Sequence, residues 1–218
     1  VPAHDRGRTP STAFRTLLTT SQLDSDILRA AGERLTRKMR DPSRVKFSVF
    51  LGGSTRRFRM DLAKVEKFFS SLVSLSRREG DYLVTTSRRT PPMVIDYLKG
   101  KVLNDSHCQL LVVASELNPP ETVPGMMHLG QVLIVTEDSI SMISEAVSSG
   151  KKVLVIRLGA ELPEKHRRFI DLLVLKSAIV VADPENFESR LLRLEDGVAP
   201  SLVREEADGL QLKLQEIL

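Results

Sequence analysis

The chain has 218 residues, of which 41% are hydrophobic and 28% are charged, and its formal net charge at pH 7 is +4. This length predicts between one domain and two, and the composition excludes wholesale disorder, a collagen-like fibre and a coiled coil. No stretch approaches the roughly 18 consecutive apolar residues of a membrane-spanning helix, and the single cysteine, Cys108, excludes an internal disulfide and a multi-cysteine zinc site. We expect a soluble, cytoplasmic protein, with a peripheral position at a membrane as the alternative.

The charge is divided unevenly between the two halves of the chain. Residues 1–109 carry 21 Lys and Arg against 11 Asp and Glu, whereas residues 110–218 carry 11 against 17. Such a division is typical of a protein whose basic side meets nucleic acid, anionic lipid or a phosphate-bearing ligand. Nucleic acid is disfavoured, because the chain has no Trp and only two Tyr for base stacking and shows no basic recognition helix. A basic pair such as Arg56-Arg57 is also typical of a solvated face.

Apolar runs alternate with helical patterns along most of the chain. In chain order, strands are predicted over residues 44–51, 82–86, 110–114, 132–136, 153–157 and 178–181. Helices are predicted over residues 27–40, 61–80, 91–104, 138–149, 163–176 and 186–196. Because continuously apolar strands alternate with helices through short loops, the pattern predicts an α/β fold with a doubly wound, Rossmann-like parallel sheet of about six strands.

Ligands of an open parallel sheet bind outside the carboxyl ends of its strands, so the residues that follow each strand are the candidates for binding. Gly52, Gly53, Ser54 and Thr55 follow the first strand. The glycines would let the backbone approach a phosphate and the hydroxyls could donate to it, but an ordinary strand-to-helix turn has the same composition. The run is neither a P-loop nor a GxGxxG fingerprint, which argues against a P-loop NTPase and a standard dinucleotide site.

Ser87, Arg88, Arg89, Thr90 and Pro91 follow the second strand. Proline suits the first helical turn, so Thr90 is the predicted N-cap of the next helix. Two adjacent arginines before a helix start are costly unless an anion or a carboxylate neutralises them. An anion site and a solvated basic surface both remain open.

The richest segment follows the fourth strand and contains Thr136, Asp138, Ser139, Ser141 and Glu145. A helix that starts at Asp138 would place Asp138, Ser141 and Glu145 on one stripe. An anion could then bind at the helix start and a sugar hydroxyl at Glu145, as a nucleoside diphosphate would require. A capped helix with a surface glutamate is the alternative, but the three strand exits taken together favour the ligand.

The remaining candidates are weaker. Asn118 lies in a sharp turn after the third strand and is predicted to line the same rim. His107, His128 and His166 lack partners at metal-ligand spacing, and no Ser-His-Asp or Cys-His set is visible. We therefore predict neither a metal site nor a cofactor, and we assign no catalytic residue.

At these motifs the sequence resembles the mitochondrial-fission protein family founded on a plant protein, whose bacterial members are often labelled nucleoside-diphosphate-sugar epimerases. The matching segments are VPAHDR, GGS, TTSRRTP, the NP of Asn118-Pro119 and VTEDSISMISEAVSSGKKVLVI. The resemblance implies the carboxy-terminal half of a GT-B-like, two-Rossmann glycosyltransferase. The positions that would match its donor site are Gly53, Ser54, Arg88, Arg89, Asp138, Ser139, Ser141 and Glu145.

The resemblance also suggests a division of the chain. Residues 1–40 would be an interdomain connector with an amphipathic helix, residues 41–197 the nucleotide-sugar-binding domain, and residues 198–218 a crossover helix. The start at Val1 rather than Met suggests a truncated product that lacks an amino-terminal domain and is inactive alone.

Two functions follow from these expectations. The first is the half of a GT-B-like glycosyltransferase that binds a nucleoside diphosphate sugar, with Arg88 or Arg89 and the helix start stabilising the departing diphosphate. The second is a non-catalytic interaction module that docks to a partner protein or a membrane surface through its basic half.

Overall fold

The computed structural model describes Leu18, residues 25–116 and residues 118–194. The predicted crossover helix, residues 198–218, lies outside the described residues, as does nearly all of the connector before residue 25. The predicted domain limits at residues 40 and 197 stay predictions.

Six parallel strands form one sheet, which confirms the predicted α/β fold. They are β1 (Val45–Phe50), β2 (Asp81–Thr85), β3 (Cys108–Val112), β4 (Val132–Thr136), β5 (Lys152–Ile156) and β6 (Val180–Ala182). Their order across the sheet is β3-β2-β1-β4-β5-β6, and every neighbouring pair is parallel. The order reverses direction between β1 and β4, which makes their carboxyl ends the switch point where a Rossmann-like sheet opens a crevice.

Seven α-helices connect and cover the strands in the described part of the chain. They are α1 (Ser25–Thr36), α2 (Leu62–Glu79), α3 (Pro92–Tyr97), α4 (Thr122–Leu129), α5 (Ile140–Ser148), α6 (Glu164–Leu175) and α7 (Phe187–Leu191). The predicted helix over residues 91–104 is α3 followed by a π-helical turn, Leu98–Val102. The last predicted helix is shorter than expected, because α7 ends at Leu191. None of the described helices is long and apolar enough to cross a bilayer.

Helix α4 was not predicted from the sequence. Pro124 lies inside it, and proline opposes helix in most positions. Here Pro124 is the third helical residue, where a backbone N–H has no acceptor within the helix, so the missing donor costs little.

The core consists of two apolar layers, one on each face of the sheet. Helices α1, α4, α5 and α6 contribute to one layer, and α2, α3 and α7 contribute to the other. Every residue of β4 is buried, as expected for a strand covered on both faces. The two layers therefore cover β1 and β4 in the middle of the sheet, and the crevice opens at the carboxyl ends of these strands.

Candidate functional site

Residues from three strand exits meet at the switch point. They come from the ends of β1, β2 and β4, which are neighbours in the sheet. The residues that the structure brings together there are Gly52, Gly53, Arg89, Thr90, Thr136 and Asp138. We call this set the rim cluster.

Asp138 is the centre of the rim cluster. It is only 3% exposed, and its Oδ1 accepts a hydrogen bond from the Thr136 hydroxyl at 2.6 Å. Its Oδ2 accepts from the Gly53 backbone N–H at 2.9 Å and from Arg89 Nη2 at 3.2 Å. The carboxylate therefore fastens the exits of β1 and β2 to the exit of β4.

The sequence predicted that Asp138, Ser141 and Glu145 share one stripe of a helix, and this prediction is wrong for Asp138, which precedes the helix. Helix α5 begins at Ile140, and Ser139 is its N-cap, with its hydroxyl accepting from the Met142 N–H at 3.4 Å. Asp138 stays outside the helix because its carboxylate is engaged by donors from the neighbouring exits. Ser141 and Glu145 remain within α5, with Ser141 exposed and Glu145 half-buried.

The two glycines after β1 allow the exits to approach closely. A Cβ on Gly52 would lie 2.1 Å from an Asp138 carboxylate oxygen, and a Cβ on Gly53 would lie 2.1 Å from the Arg89 backbone carbonyl. The Gly52 N–H donates to the Thr136 hydroxyl at 2.7 Å. The close approach that the glycine pair predicted thus occurs against the protein's own carboxylate and backbone, and the Gly53 N–H already has an acceptor.

The arginine pair after β2 is divided between a protein contact and solvent. Arg89 pairs with Asp138, yet 47% of its side chain stays exposed. Arg88 is exposed, and within the described residues it has no ion pair. The expected neutralising carboxylate is present for one arginine, and the other remains available to an anion.

Thr90 is not the helix cap that the sequence predicted. Helix α3 starts at Pro92 with Pro91 as its N-cap, and the Thr90 hydroxyl instead donates to the Gly52 carbonyl. The Thr90 hydroxyl oxygen also accepts from the Ser87 N–H at 2.9 Å, and this hydrogen bond closes the turn that contains Arg88 and Arg89. A contact with the adjacent exit has replaced the local cap.

A short hairpin continues from the glycine pair along the rim. Thr55 and Phe58 form an antiparallel bridge, with Arg56 and Arg57 exposed at the turn and Phe58 buried. We call Thr55–Phe58 the arginine hairpin. Ser54 joins it to the cluster, because the Ser54 N–H donates to the Arg89 carbonyl at 3.0 Å and its hydroxyl accepts from the Met60 N–H at 3.1 Å.

Two predicted rim residues are less closely tied to the cluster. The Asn118 side-chain amide donates to the Val113 and Glu116 carbonyls at 2.7 Å, so it closes its own turn after the edge strand β3. Glu145 lies further along α5, where burial raises the pKa of its carboxyl group.

Sequence reasoning missed two polar residues beside the cluster. Glu137 is 2% exposed, and burial raises its pKa to about 7. His166 on α6 places Nε2 3.0 Å from the Asp138 carbonyl oxygen, and burial lowers its pKa. The position of Glu137, directly after a fully apolar strand, was a usable signal, whereas nothing local marked His166. In the described ranges, no group of three His, Cys, Asp or Glu is placed to hold a metal ion.

The chain is similar to several known proteins. A family model described as Mitochondrial fission ELM1 matches residues 1–205. The uncharacterized protein RP120 of Rickettsia prowazekii is 31% identical over 131 residues, which are 58% of this chain and 36% of that protein. The mitochondrial fission protein ELM1 of Arabidopsis thaliana is 35% identical over 103 residues, which are 47% of this chain and 23% of that protein. The matched segments thus cover well under half the length of either curated relative.

Among solved structures, a glycosyl transferase family 9 protein from Veillonella parvula is similar, with a TM-score of 0.46 and 11% identity. The match covers 88% of this chain and 53% of that one.

Proposed function

The chain belongs to the mitochondrial fission ELM1 family, and from this premise we propose that it is the nucleoside-diphosphate-sugar-binding half of a GT-B-like glycosyltransferase. The observation that carries the proposal is the convergence of Asp138, the glycine pair and the arginine pair at the β1–β4 switch point. A Rossmann-like sheet binds its ligand at this crevice.

A diphosphate would be held by donors from two exits. The N–H groups of Ile140 and Ser141 stand in the first turn of α5, where the helix provides no acceptor for them and its dipole favours an anion. Arg88 and Arg89 add positive charge from the neighbouring exit. Because the Asp138 carboxylate already orients Arg89, little reorganisation would be needed when a negative leaving group develops.

Glu145 is the proposed acceptor for a ribose hydroxyl. It follows Ile140 by five residues on α5, so it stands roughly 7.5 Å further along the helix axis. That separation suits the distance between the phosphates and the ribose of one nucleotide. The Glu145 carboxyl is half-buried, which would strengthen a hydrogen bond to the sugar.

Calorimetric titration with UDP, GDP, ADP and their glucose conjugates tests the proposal. For whichever nucleotide binds wild type, we expect Arg88→Ala to reduce the affinity by about tenfold or more, because a charge-assisted contact is lost. Arg77→Ala is the matched control, since Arg77 is exposed at the carboxyl end of α2, away from the rim cluster. Absence of binding at millimolar nucleotide, or equal losses in both variants, would refute the nucleotide site.

The arginine hairpin favours a second candidate function, docking to an anionic partner protein or membrane surface. Arg56, Arg57 and the following Arg59 are exposed, and none has an ion pair within the described part of the chain. The bridge between Thr55 and Phe58 and the burial of Phe58 hold these arginines outward on a fixed element. Such a surface is attracted to negative charge in a salt-dependent way.

Co-sedimentation with anionic and neutral vesicles tests the docking candidate. Charge reversal of Arg56 and Arg57 to Glu should abolish capture by anionic vesicles, and raised salt should do the same to wild type. Reversal of Arg37 and Lys38 changes the net charge equally at another exposed basic pair, and should leave capture intact. Equal capture by all three proteins would exclude the hairpin as the docking element.

A further inference from the structure

Glu137 is a buried acid that the proposed nucleotide site does not use. One of its carboxylate oxygens, Oε1, accepts from the Leu158 N–H at 2.9 Å and from the Gly159 N–H at 2.8 Å. The other, Oε2, lies 3.0 Å from the Leu158 nitrogen. These donors are neutral backbone groups, and no ion pair to Glu137 occurs in the described residues. The carboxylate therefore binds a loop rather than a cation.

The segment that Glu137 binds, Leu158–Gly159, also holds the connection between β1 and α2. The Leu158 carbonyl accepts from the Asp61 N–H at 2.8 Å, and the Gly159 carbonyl accepts from Lys64 Nζ at 2.7 Å. Met60 forms an antiparallel bridge with Gly159. The exit of β5 is thus attached to the exit of β4 on one side and to the start of α2 on the other.

The same segment supports the arginine hairpin. A Cβ on Gly159 would lie 2.2 Å from Phe58 Cε2, so the Phe58 ring rests directly on the backbone that Glu137 fixes. Phe58 is 2% exposed and is the inward-facing residue of the hairpin. Displacement of Gly159 would therefore remove the surface against which the hairpin is anchored.

We propose that Glu137 is a positioning residue whose carboxyl group holds Leu158–Gly159 and thereby sets the arginine hairpin beside the rim cluster. Oε1 accepts from both N–H donors, so Oε2 can carry a proton while the contact persists. Ionisation leaves a buried charge with no cation beside it, so the segment and the hairpin loosen together as the pH rises. The proposal rests on the proposed function only in that the hairpin and the rim would share an anionic ligand.

The surroundings make this ionisation occur near neutral pH. Burial raises the pKa of Glu137 to about 7 against the opposing effect of the Leu158 and Gly159 N–H groups, and the Asp138 charge raises it further. The neighbouring elements bring further ionisable groups to this region, namely Asp61 and Lys64 at the start of α2, Arg89 after β2, Arg157 after β5 and His166 on α6. Among these, His166 has the side chain that ordinarily titrates closest to neutral pH, although burial lowers its pKa. An experiment must therefore separate it from Glu137.

Amide NMR of the full chain through the neutral pH range tests the proposal. The Leu158 and Gly159 amide resonances should shift with a midpoint near pH 7. The amides of Thr55 and Phe58 in the hairpin should move with the same midpoint. Glu137→Gln should abolish the transition at all four positions, whereas His166→Gln, the matched control, should keep it.

The four amides distinguish positioning from a purely local role. Hairpin amides that stay fixed while Leu158 and Gly159 titrate would overturn the positioning role, and so would a transition that His166→Gln removes. Flat resonances at all four positions would overturn the proposal entirely. If Glu137→Gln does not fold, wild type and His166→Gln still decide the question. No nucleotide is present, so a failure of the nucleotide site would leave this result unaffected.

Discussion

A buried carboxylate lies where the strands begin, which we call the amino edge, and another lies where they end, which we call the carboxyl edge. Different kinds of donor hold the two. Asp81, the first residue of β2, is 3% exposed at the amino edge and contacts Arg44 Nε at 3.4 Å and His107 Nδ1 at 2.9 Å. Burial alone would raise the pKa of Asp81, but hydrogen bonds from Gln109 and His107, with the Arg44 charge, lower it. Glu137 has backbone donors, and burial raises its pKa to about 7. The partners of a buried acid, more than its depth, decide its charge.

The basic residues of the two edges differ in the same way. A cleft of about 210 Å³ at the amino edge is lined by cations that are each ion-paired. The pairs are Arg44–Asp81 at 3.4 Å, Lys46–Glu79 at 2.8 Å and Arg78–Glu188 at 2.7 Å. The carboxyl edge instead exposes arginines with no ion pair in the described part of the chain, namely Arg56, Arg57, Arg59 and Arg88. Charge is therefore balanced by ion pairs in the cleft at the amino edge, whereas these four arginines at the carboxyl edge stay available to an anion.

The largest loss of stability is expected when a methyl group is added to Gly53 at the carboxyl edge. Gly53→Ala would place Cβ 2.1 Å from the Arg89 backbone, which cannot yield without moving the arginine turn. We expect a loss of about 3 kcal/mol in the free energy of unfolding, measured with urea. Gly100→Ala is the control, because no atom lies within 4 Å of the new Cβ, and it should be neutral or stabilising. A Gly53→Ala protein as stable as wild type would contradict the tight contact of the three exits.

Removal of the Asp81 charge at the amino edge should lower the free energy of unfolding by a somewhat smaller amount. Asp81→Asn leaves Arg44 and His107 without their carboxylate, and we expect a loss of about 2 kcal/mol. Urea unfolding at neutral pH measures it. The control is Asp96→Asn on α3, an exposed position that should change stability by less than about 0.5 kcal/mol. If the two variants behaved alike, the amino-edge network would not be the stabilising counterpart of the rim.

The two acids should also give opposite pH dependences. The folded-state pKa of Glu137 is raised, so its contribution to stability is complete below pH 4.5 and is lost as pH rises through about 7. The pKa of Asp81 is lowered from 3.8, so its contribution is present above that value and is lost only as pH falls below it. From about pH 5 to 8, the stability of wild type relative to Glu137→Gln should fall by about 1–2 kcal/mol.

Urea unfolding at several pH values provides the measurement for this contrast. Wild type relative to Asp81→Asn should give a constant difference over the same interval, because the Asp81 carboxylate stays ionised there in both the folded and unfolded chain. A constant difference for Glu137→Gln as well would show that the carboxyl-edge acid is ionised throughout.

The strands and most helices could be predicted because their signals are local. Each apolar run is continuous in the sequence, and its alternation with helices already implies parallel order. Helix α4 was missed because Pro124 lowers helix propensity without revealing that it lies in the first turn. Packing against the sheet, which the sequence does not display, outweighs that propensity.

The strand exits that meet at the rim could be identified from the sequence, but the contacts between them could not, and the binding role of the rim stays a prediction. Asp138 binds the Gly53 N–H across 85 residues of sequence, and the Thr90 hydroxyl reaches the Gly52 carbonyl across 38. The local alternatives, a helix start at Asp138 and a cap at Thr90, use the same side chains in ways that single segments favour. Long-range contacts, rather than these local alternatives, determine the positions of the Asp138 and Thr90 side chains. Such contacts can be identified only when the order of the strands in the sheet is known.

The smallest effect concerns the start of α5, where sequence and structure disagree on which residue caps the helix. Ser139 accepts the Met142 N–H at a long 3.4 Å, so Ser139→Ala should cost about 0.5–1 kcal/mol in the free energy of unfolding. Ser74→Ala is the matched control, because Ser74 is exposed in the interior of α2, where alanine should be neutral or slightly stabilising. Asp138 is engaged by Gly53, Thr136 and Arg89, and cannot replace the lost cap without releasing the neighbouring exits. A neutral Ser139→Ala would therefore mean that Asp138 does cap α5, and that the carboxyl edge is held less firmly than the amino edge.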